Sequence, residues 1–157
     1  KLSAIIDKNG RETPKIKVSN NVAKITNPGI KNVYRVYDNK TGMAEADFIY
    51  LRSESDYDTS KPLKLTHQFD RWKSITFEDY TLKKLQQDII IGGKLVYKLP
   101  SLKEIKAYAE KELNSFWDEY KRLDNPHLYK VDLSDALFEL KTTMLEKIRS
   151  KKTTVEE

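Results

Sequence analysis

The sequence predicts an α+β fold: a small antiparallel sheet of hairpins followed by two C-terminal amphipathic helices. Three observations predict it. Apolar, β-branched and aromatic runs flank turn-forming residues through the first two thirds of the chain. Apolar residues then recur at three- and four-residue steps through the last third. Between these regions Ser101 and Glu104 follow Pro100 at the spacing of a capping box, which marks a helix start.

Each element has its own reason. Residues 2–6 form an apolar run, Asn9-Gly10 is a hairpin turn, and Ile16 and Val18 alternate with lysines, so residues 1–18 read as a first hairpin. Residues 19–32 are rich in Ser, Asn, Pro and Gly and read as a loop. Val33, Tyr34, Val36 and Tyr37 begin a second hairpin, which turns at 38–42 and returns through 44–51. Residues 52–62, which include Asp56 and Asp58, read as an exposed linker. A short strand is expected at 63–67, whereas 69–77 carries aromatics without clear periodicity and 81–87 fits a strand or a helical turn equally. Gly92-Gly93 marks a third hairpin. The first helix carries Leu102, Ile105, Ala109, Leu113, Phe116, Trp117 and Tyr120 on one stripe, with Glu110 and Glu112 off it and solvated. Asn125-Pro126 breaks it, and Leu133, Leu137, Leu140, Met144, Leu145 and Ile148 mark the second, before a charged tail at 151–157. Both helices are expected to cover the sheet.

Composition excludes several function classes. The 157 residues contain no cysteine, so a disulfide framework, a thiol nucleophile and a thiolate zinc site are all excluded. A reducing cytoplasm is the expected compartment. No apolar run approaches the ~20 residues of a membrane span, so no membrane partner is expected. The chain starts at Lys1 and enters strand-like sequence at once, which suggests a piece of a longer polypeptide.

Charge is placed unevenly. Residues 1–31 hold seven basic residues against Asp7 and Glu12, which accounts for the whole net charge of +5. Such a local excess favours an anionic partner or makes a solvated basic surface.

Catalytic signatures are missing: there is no phosphate-binding glycine loop, nucleophile elbow or His-Glu-x-x-His. His67 and His127 lie sixty positions apart and read as structural, and no carboxylate spacing suggests a metal site. Trp117 and Tyr120 read as core. The pairs Tyr34-Arg35 and Arg71-Trp72 are too scattered for nucleic-acid recognition, so nucleic acid is not the expected partner. One segment stands apart. Lys17, Ser19, Lys24 and Thr26 fall in an Asn- and Gly-containing loop leaving a strand. Cations on long stems, hydroxyl donors and backbone N–H groups are what phosphate recognition needs. On the residues alone, a basic polyanion- or RNA-binding module and a non-catalytic scaffold domain stay open.

Landmarks across nearly the whole chain carry a family resemblance. They include Pro14-Lys15-Ile16-Lys17-Val18-Ser19, Lys24-Ile25-Thr26-Asn27-Pro28-Gly29, Val33-Tyr34-Arg35-Val36-Tyr37-Asp38, Thr41-Gly42 and Ala44-Glu45-Ala46-Asp47. They continue through Gly93-Lys94-Leu95-Val96-Tyr97-Lys98-Leu99-Pro100-Ser101-Leu102, Trp117-Asp118-Glu119, Asn125-Pro126-His127 and Val131-Asp132-Leu133-Ser134. In this order they resemble the part of bacterial nicotinate phosphoribosyltransferases that follows the catalytic barrel. The resemblance implies that residues 1–31 end the barrel region and supply the basic loop, and that residues 32–157 form a C-terminal α+β domain. It implies a homodimeric parent that joins nicotinate to phosphoribosyl pyrophosphate for NAD salvage. In that parent ATP is used through a phosphorylated histidine and Mg2+ assists. The reacting groups would lie upstream, because neither His67 nor His127 sits in the family's catalytic motif. This chain would then hold no catalytic residue, metal or cofactor, and would be inactive alone. Lys17 and Lys24 are similar to a lysine pair that faces substrate phosphate in related nicotinamide phosphoribosyltransferases, with Ser19 and Thr26 as hydroxyl donors.

Overall fold

A computed structural model describes residues 2–54 and 57–153, and side chains as far as residue 150. The expectations for Asp56 and for the end of the charged tail lie outside the described residues. Strands β1 (Ala4–Ile6) and β2 (Glu12–Pro14) form the first hairpin, with Ala4 opposite Pro14. It turns at Asn9-Gly10 as the sequence predicts, with Gly10 at φ 79°. The return strand is Glu12–Pro14, however, and Ile16 and Val18 fall beyond it. Proline at the end of β2 has no N–H to continue the ladder.

The main sheet contains β3 (Lys31–Asp38), β4 (Ala44–Leu51), β5 (Leu63–His67), β6 (Asp70–Phe77), β7 (Tyr80–Lys84) and β10 (Lys130–Leu133). Their order across the sheet is β6-β5-β10-β4-β3-β7. A separate hairpin joins β8 (Ile90–Ile91) to β9 (Lys94–Leu95) around Gly92-Gly93. The predicted small antiparallel sheet is thus corrected to a six-stranded mixed sheet, because β10 runs parallel to β4. Strand β10 was hidden in the sequence because Leu133 stands four residues before Leu137 and falls into the helical period of the next apolar residues.

The sheet must curl. Strands β6 and β7 occupy opposite edges, yet only Glu78 and Asp79 separate them. Five strand spacings would set flat edges about 24 Å apart, whereas three Cα steps span at most about 11 Å. Rolling encloses one face. Alternation puts Val36, Ala46, Phe48, Tyr50, Leu63, Leu65 and Tyr80 on that inner side as the buried core. Tyr34 stacks on Tyr50 at 5.1 Å, and Tyr57 meets Phe48 edge-on at 5.0 Å. The Tyr80 hydroxyl donates to the Lys61 carbonyl at 2.9 Å, tying β7 to the entry of β5.

Among the described residues there are three α-helices rather than two: α1 (Leu102–Asn114), α2 (Asp118–Lys121) and α3 (Asp135–Thr153). The capping box forms, with the Ser101 hydroxyl accepting from the Glu104 N–H at 3.3 Å and the Ser101 N–H donating to the Glu104 carboxylate at 2.7 Å. The stripe predicted as one helix breaks at Ser115, whose hydroxyl donates to the Glu112 carbonyl at 2.7 Å and whose carbonyl receives the Ala44 N–H at 2.7 Å. Helix α1 does not cover the sheet: it buries no residue, and Leu102 is 82% exposed. Periodicity identifies an apolar face but not what it packs against. Helix α3 does cover, packing near β4 and β5 with Leu137 fully buried. Trp117 is partly exposed rather than core, its indole N–H donating to Glu45 at 2.8 Å, while Tyr120 packs edge-on against Tyr129 at 5.2 Å.

Candidate functional site

The basic loop is built from its base upward. The Lys15 and Gly29 N–H groups both donate to the Ser3 carbonyl at 2.8 Å, and the Ile30 N–H donates to the Glu12 carboxylate at 2.6 Å. Both ends of the loop are therefore held by the β1–β2 hairpin. Gly29 is buried at φ 80°, and a Cβ there would stand 2.6 Å from the Leu51 side chain, so only glycine fits without strain. The Lys31 ammonium bonds to the carbonyls of Asn27, Pro28 and Gly29, the first at 2.9 Å. Burial pulls its pKa down against the opposing charge of Glu12. Lys31 thus braces the loop from within, although the sequence counts it in the basic excess.

Within the loop the structure brings Lys17 and Thr26 together. The Lys17 N–H donates to Thr26 Oγ1 at 2.9 Å, and the Thr26 N–H returns to the Lys17 carbonyl at 3.2 Å. A 3-10 turn over Val22–Lys24 is capped by Asn21, whose Oδ1 accepts from the Ala23 N–H at 3.0 Å. Ser19 Oγ accepts from the Asn21 N–H at 3.2 Å. Both hydroxyl oxygens therefore act as acceptors inside the loop, which leaves their protons to point elsewhere. Lys17 and Lys24 are exposed, and among the described residues neither joins an ion pair. The arrangement presents two point cations and two hydroxyls on a loop closed at both ends.

The histidines have local roles. His67 Nδ1 accepts from the Phe69 N–H at 3.3 Å, and the His127 N–H donates to the Glu119 carbonyl at 2.9 Å. Among the described residues no group of three His, Asp or Glu side chains is placed to hold a metal ion.

Sequence reasoning missed a polar cluster on the sheet's outer face. Arg35 forks onto Asp47 at 2.8 and 3.1 Å and reaches Glu112 at 3.4 Å. Glu112 also accepts from Lys83 and from the Tyr37 hydroxyl, and the Tyr129 hydroxyl donates to Asp47 at 3.1 Å. The Arg35 guanidinium lies 4.5 Å from the Phe116 ring centroid. Burial works against its charge, but hydrogen bonding to Asp47 and Asp47's own charge outweigh this and raise its pKa. Glu112, expected to be solvated, is instead the tie between α1 and the sheet. The available signal was the alternation that puts Arg35 opposite Asp47 in the second hairpin.

The domain model described as nicotinate phosphoribosyltransferase C-terminal domain matches residues 30–141. The chain belongs to that family. A nicotinate phosphoribosyltransferase of Bacillus subtilis is 33% identical over 146 residues, covering 93% of this chain and 30% of that protein. One from Caenorhabditis elegans is 32% identical over 132 residues, covering 83% of this chain and 23% of its own length. The crystal structure of human nicotinic acid phosphoribosyltransferase superposes with a TM-score of 0.70 at 26% identity, over 76% of this chain and 24% of that one. The chain therefore spans less than a third of the length of the curated relatives it matches. Among the described residues no helix is long and apolar enough to cross a membrane.

Proposed function

We propose that this chain is the C-terminal portion of a nicotinate phosphoribosyltransferase and is not catalytic alone. The parent would join nicotinate to phosphoribosyl pyrophosphate, releasing pyrophosphate and giving nicotinate mononucleotide in cytoplasmic NAD salvage. In that reaction the pyridine nitrogen forms a bond to ribose C1 as the bond from C1 to the pyrophosphate oxygen breaks. The observation that carries the reading is the family match over residues 30–141 in relatives that are more than three times longer. Residues 1–31 then close an upstream barrel, and residues 32–157 form the appended domain. The exposed side chains of Leu2, Ile5 and Ile6 on the first hairpin support this division, because a barrel neighbour would bury them. ATP and Mg2+ belong to the parent's chemistry. The described residues do not assemble a metal site, so no step is assigned to a metal in this chain. Homodimerisation of the parent is part of the same reading, and the exposed apolar face of α1 is available to it.

Turnover of nicotinate with phosphoribosyl pyrophosphate is expected from the chain joined to its upstream barrel and not from the purified chain. Unaided turnover by the chain would overturn the proposal.

In the complete enzyme Lys17 and Lys24 face substrate phosphate, with Ser19 and Thr26 donating their hydroxyl protons. What supports this is the exposure of both ammonium groups on a loop whose internal bonds leave those protons unused. A charge-assisted hydrogen bond contributes about 1.5–3 kcal/mol, so Lys24→Ala is expected to raise KM for phosphoribosyl pyrophosphate about tenfold or more. Steady-state kinetics check this, and an unchanged KM removes Lys24 from the site.

A further inference from the structure

Helix α3 carries a charge where its pattern calls for a hydrocarbon. Leu137, Lys141 and Leu145 stand four residues apart on the face turned to the protein. Lys141 is only 5% exposed. Its ammonium makes one hydrogen bond, to the Gln68 carbonyl at 3.3 Å, and sits 5.1 Å from the centroid of the Phe69 ring. An ammonium has three donors, so one bond leaves the group under-satisfied. Among the described residues no carboxylate pairs with it, and burial alone lowers its pKa. Buried lysines without a counter-charge are costly and rare, and their presence calls for a compensating anion or a neutral amine.

The space for such an anion is present. Lys141 lines a cleft of about 320 Å³ between α3, the Gln68-Phe69 turn and the 3-10 turn of the basic loop. Val22, Ile25, Phe69, Phe138 and Leu145 make most of its walls apolar. A cavity of about 150 Å³ already accommodates benzene, so a ring with an attached anionic group fits. The Thr142 hydroxyl donates to the Phe138 carbonyl at 3.0 Å, Glu146 and Arg149 also line the cleft, and of the two cations there Lys141 is the buried one.

We propose that this cleft binds a small organic anion, a carboxylate or phosphate carried on an apolar ring, with the Lys141 ammonium as its anchor and Phe69 and Phe138 as its walls. The site is independent of the phosphate role of Lys17 and Lys24, since neither lysine lines it.

The test uses the chain itself, titrated with benzoate and with phenyl phosphate while amide resonances are followed by NMR. Benzamide serves as the uncharged ring, and inorganic phosphate as the bare anion. Saturable shifts centred on Gln68, Phe69 and Lys141 are expected with at least one ring-bearing anion, and the one that binds identifies the anionic group. Both controls are expected to bind about tenfold more weakly, the loss of one charge-assisted contact or of the ring's burial. Lys141→Met is expected to weaken binding about tenfold while leaving the melting temperature unchanged or higher, because methionine fills the space without a buried charge. A structural lysine would do the reverse, lowering the melting temperature and leaving affinity intact. Phe69→Ala, at a half-exposed turn position, gives a second reading should the methionine variant not fold, and is expected to weaken binding several-fold. The proposal is overturned if no probe saturates, if either control binds as tightly as the ring-bearing anions, or if the variants that fold retain full affinity.

Discussion

Asp47→Ala is expected to destabilise the domain by about 3 kcal/mol, the low end of the range for removing one partner of a buried ion pair, because this pair is largely rather than fully buried. Asp47 receives both arms of the Arg35 fork and the Tyr129 hydroxyl, and the side chains of Asp47 and Arg35 are 15% and 12% exposed. Without it the guanidinium keeps the Phe116 ring and a longer bond to Glu112 at 3.4 Å, and the phenol loses its acceptor. The loss therefore arises from polar groups left unsatisfied more than from the attraction removed. Urea denaturation measures it as a lower midpoint at unchanged slope. A loss below about 1 kcal/mol would mean that the cluster behaves as an ordinary surface pair. A double-mutant cycle with Arg35→Met separates the pair's coupling from the cost of the orphaned charge, and a coupling of about 1 kcal/mol or more is expected for residues in direct contact.

Phe48→Ala is expected to cost a similar amount, about 3–5 kcal/mol, through a different cause. Phe48 is fully buried at the centre of the rolled sheet, with Tyr34, Tyr50 and Tyr57 all within 5.8 Å between ring centroids. Removing the ring opens a cavity that three large, hydrogen-bonding aromatics cannot easily fill. Thermal unfolding monitored by circular dichroism should show a markedly lower melting temperature, with Phe48→Leu intermediate between wild type and alanine. Equal stability of the alanine variant would mean that the inner face is not the core. The two substitutions also sit on adjacent residues of β4 that point to opposite faces, so their different signatures test the alternation itself.

Local chemistry made several elements legible. Asn9-Gly10 and Gly92-Gly93 specify their turns because they supply glycine at positive φ, at 79° for Gly10 and at 56° and 76° for Gly92 and Gly93. Ser101 and Glu104 specify a helix start because their side chains reach each other's backbone within three residues. The loop holding Lys17, Ser19, Lys24 and Thr26 stood out by composition, and its order along the chain carried the family resemblance. Contacts between residues far apart in sequence stayed hidden. Glu112 lies 77 positions from Arg35, so its spacing along α1 gives no sign that it leaves solvent. Lys141 offered a local hint, a charge inside an apolar stripe, but the hint has meaning only once the stripe is seen to be buried.

The sequence by itself determined the class of the fold, the places of its hairpins, the capped start of α1 and the family. Those features depend on turn conformation, periodicity and residue order, all of which act over a few positions or can be matched in a line. Only the tertiary structure decided that β10 inserts parallel to β4, that the sheet curls to bring its two edge strands within one short turn of each other, and that α1 leaves its apolar face uncovered. Strand pairing and helix docking are set by which buried surfaces find one another across long stretches of chain, and a one-dimensional pattern records the faces without recording their partners.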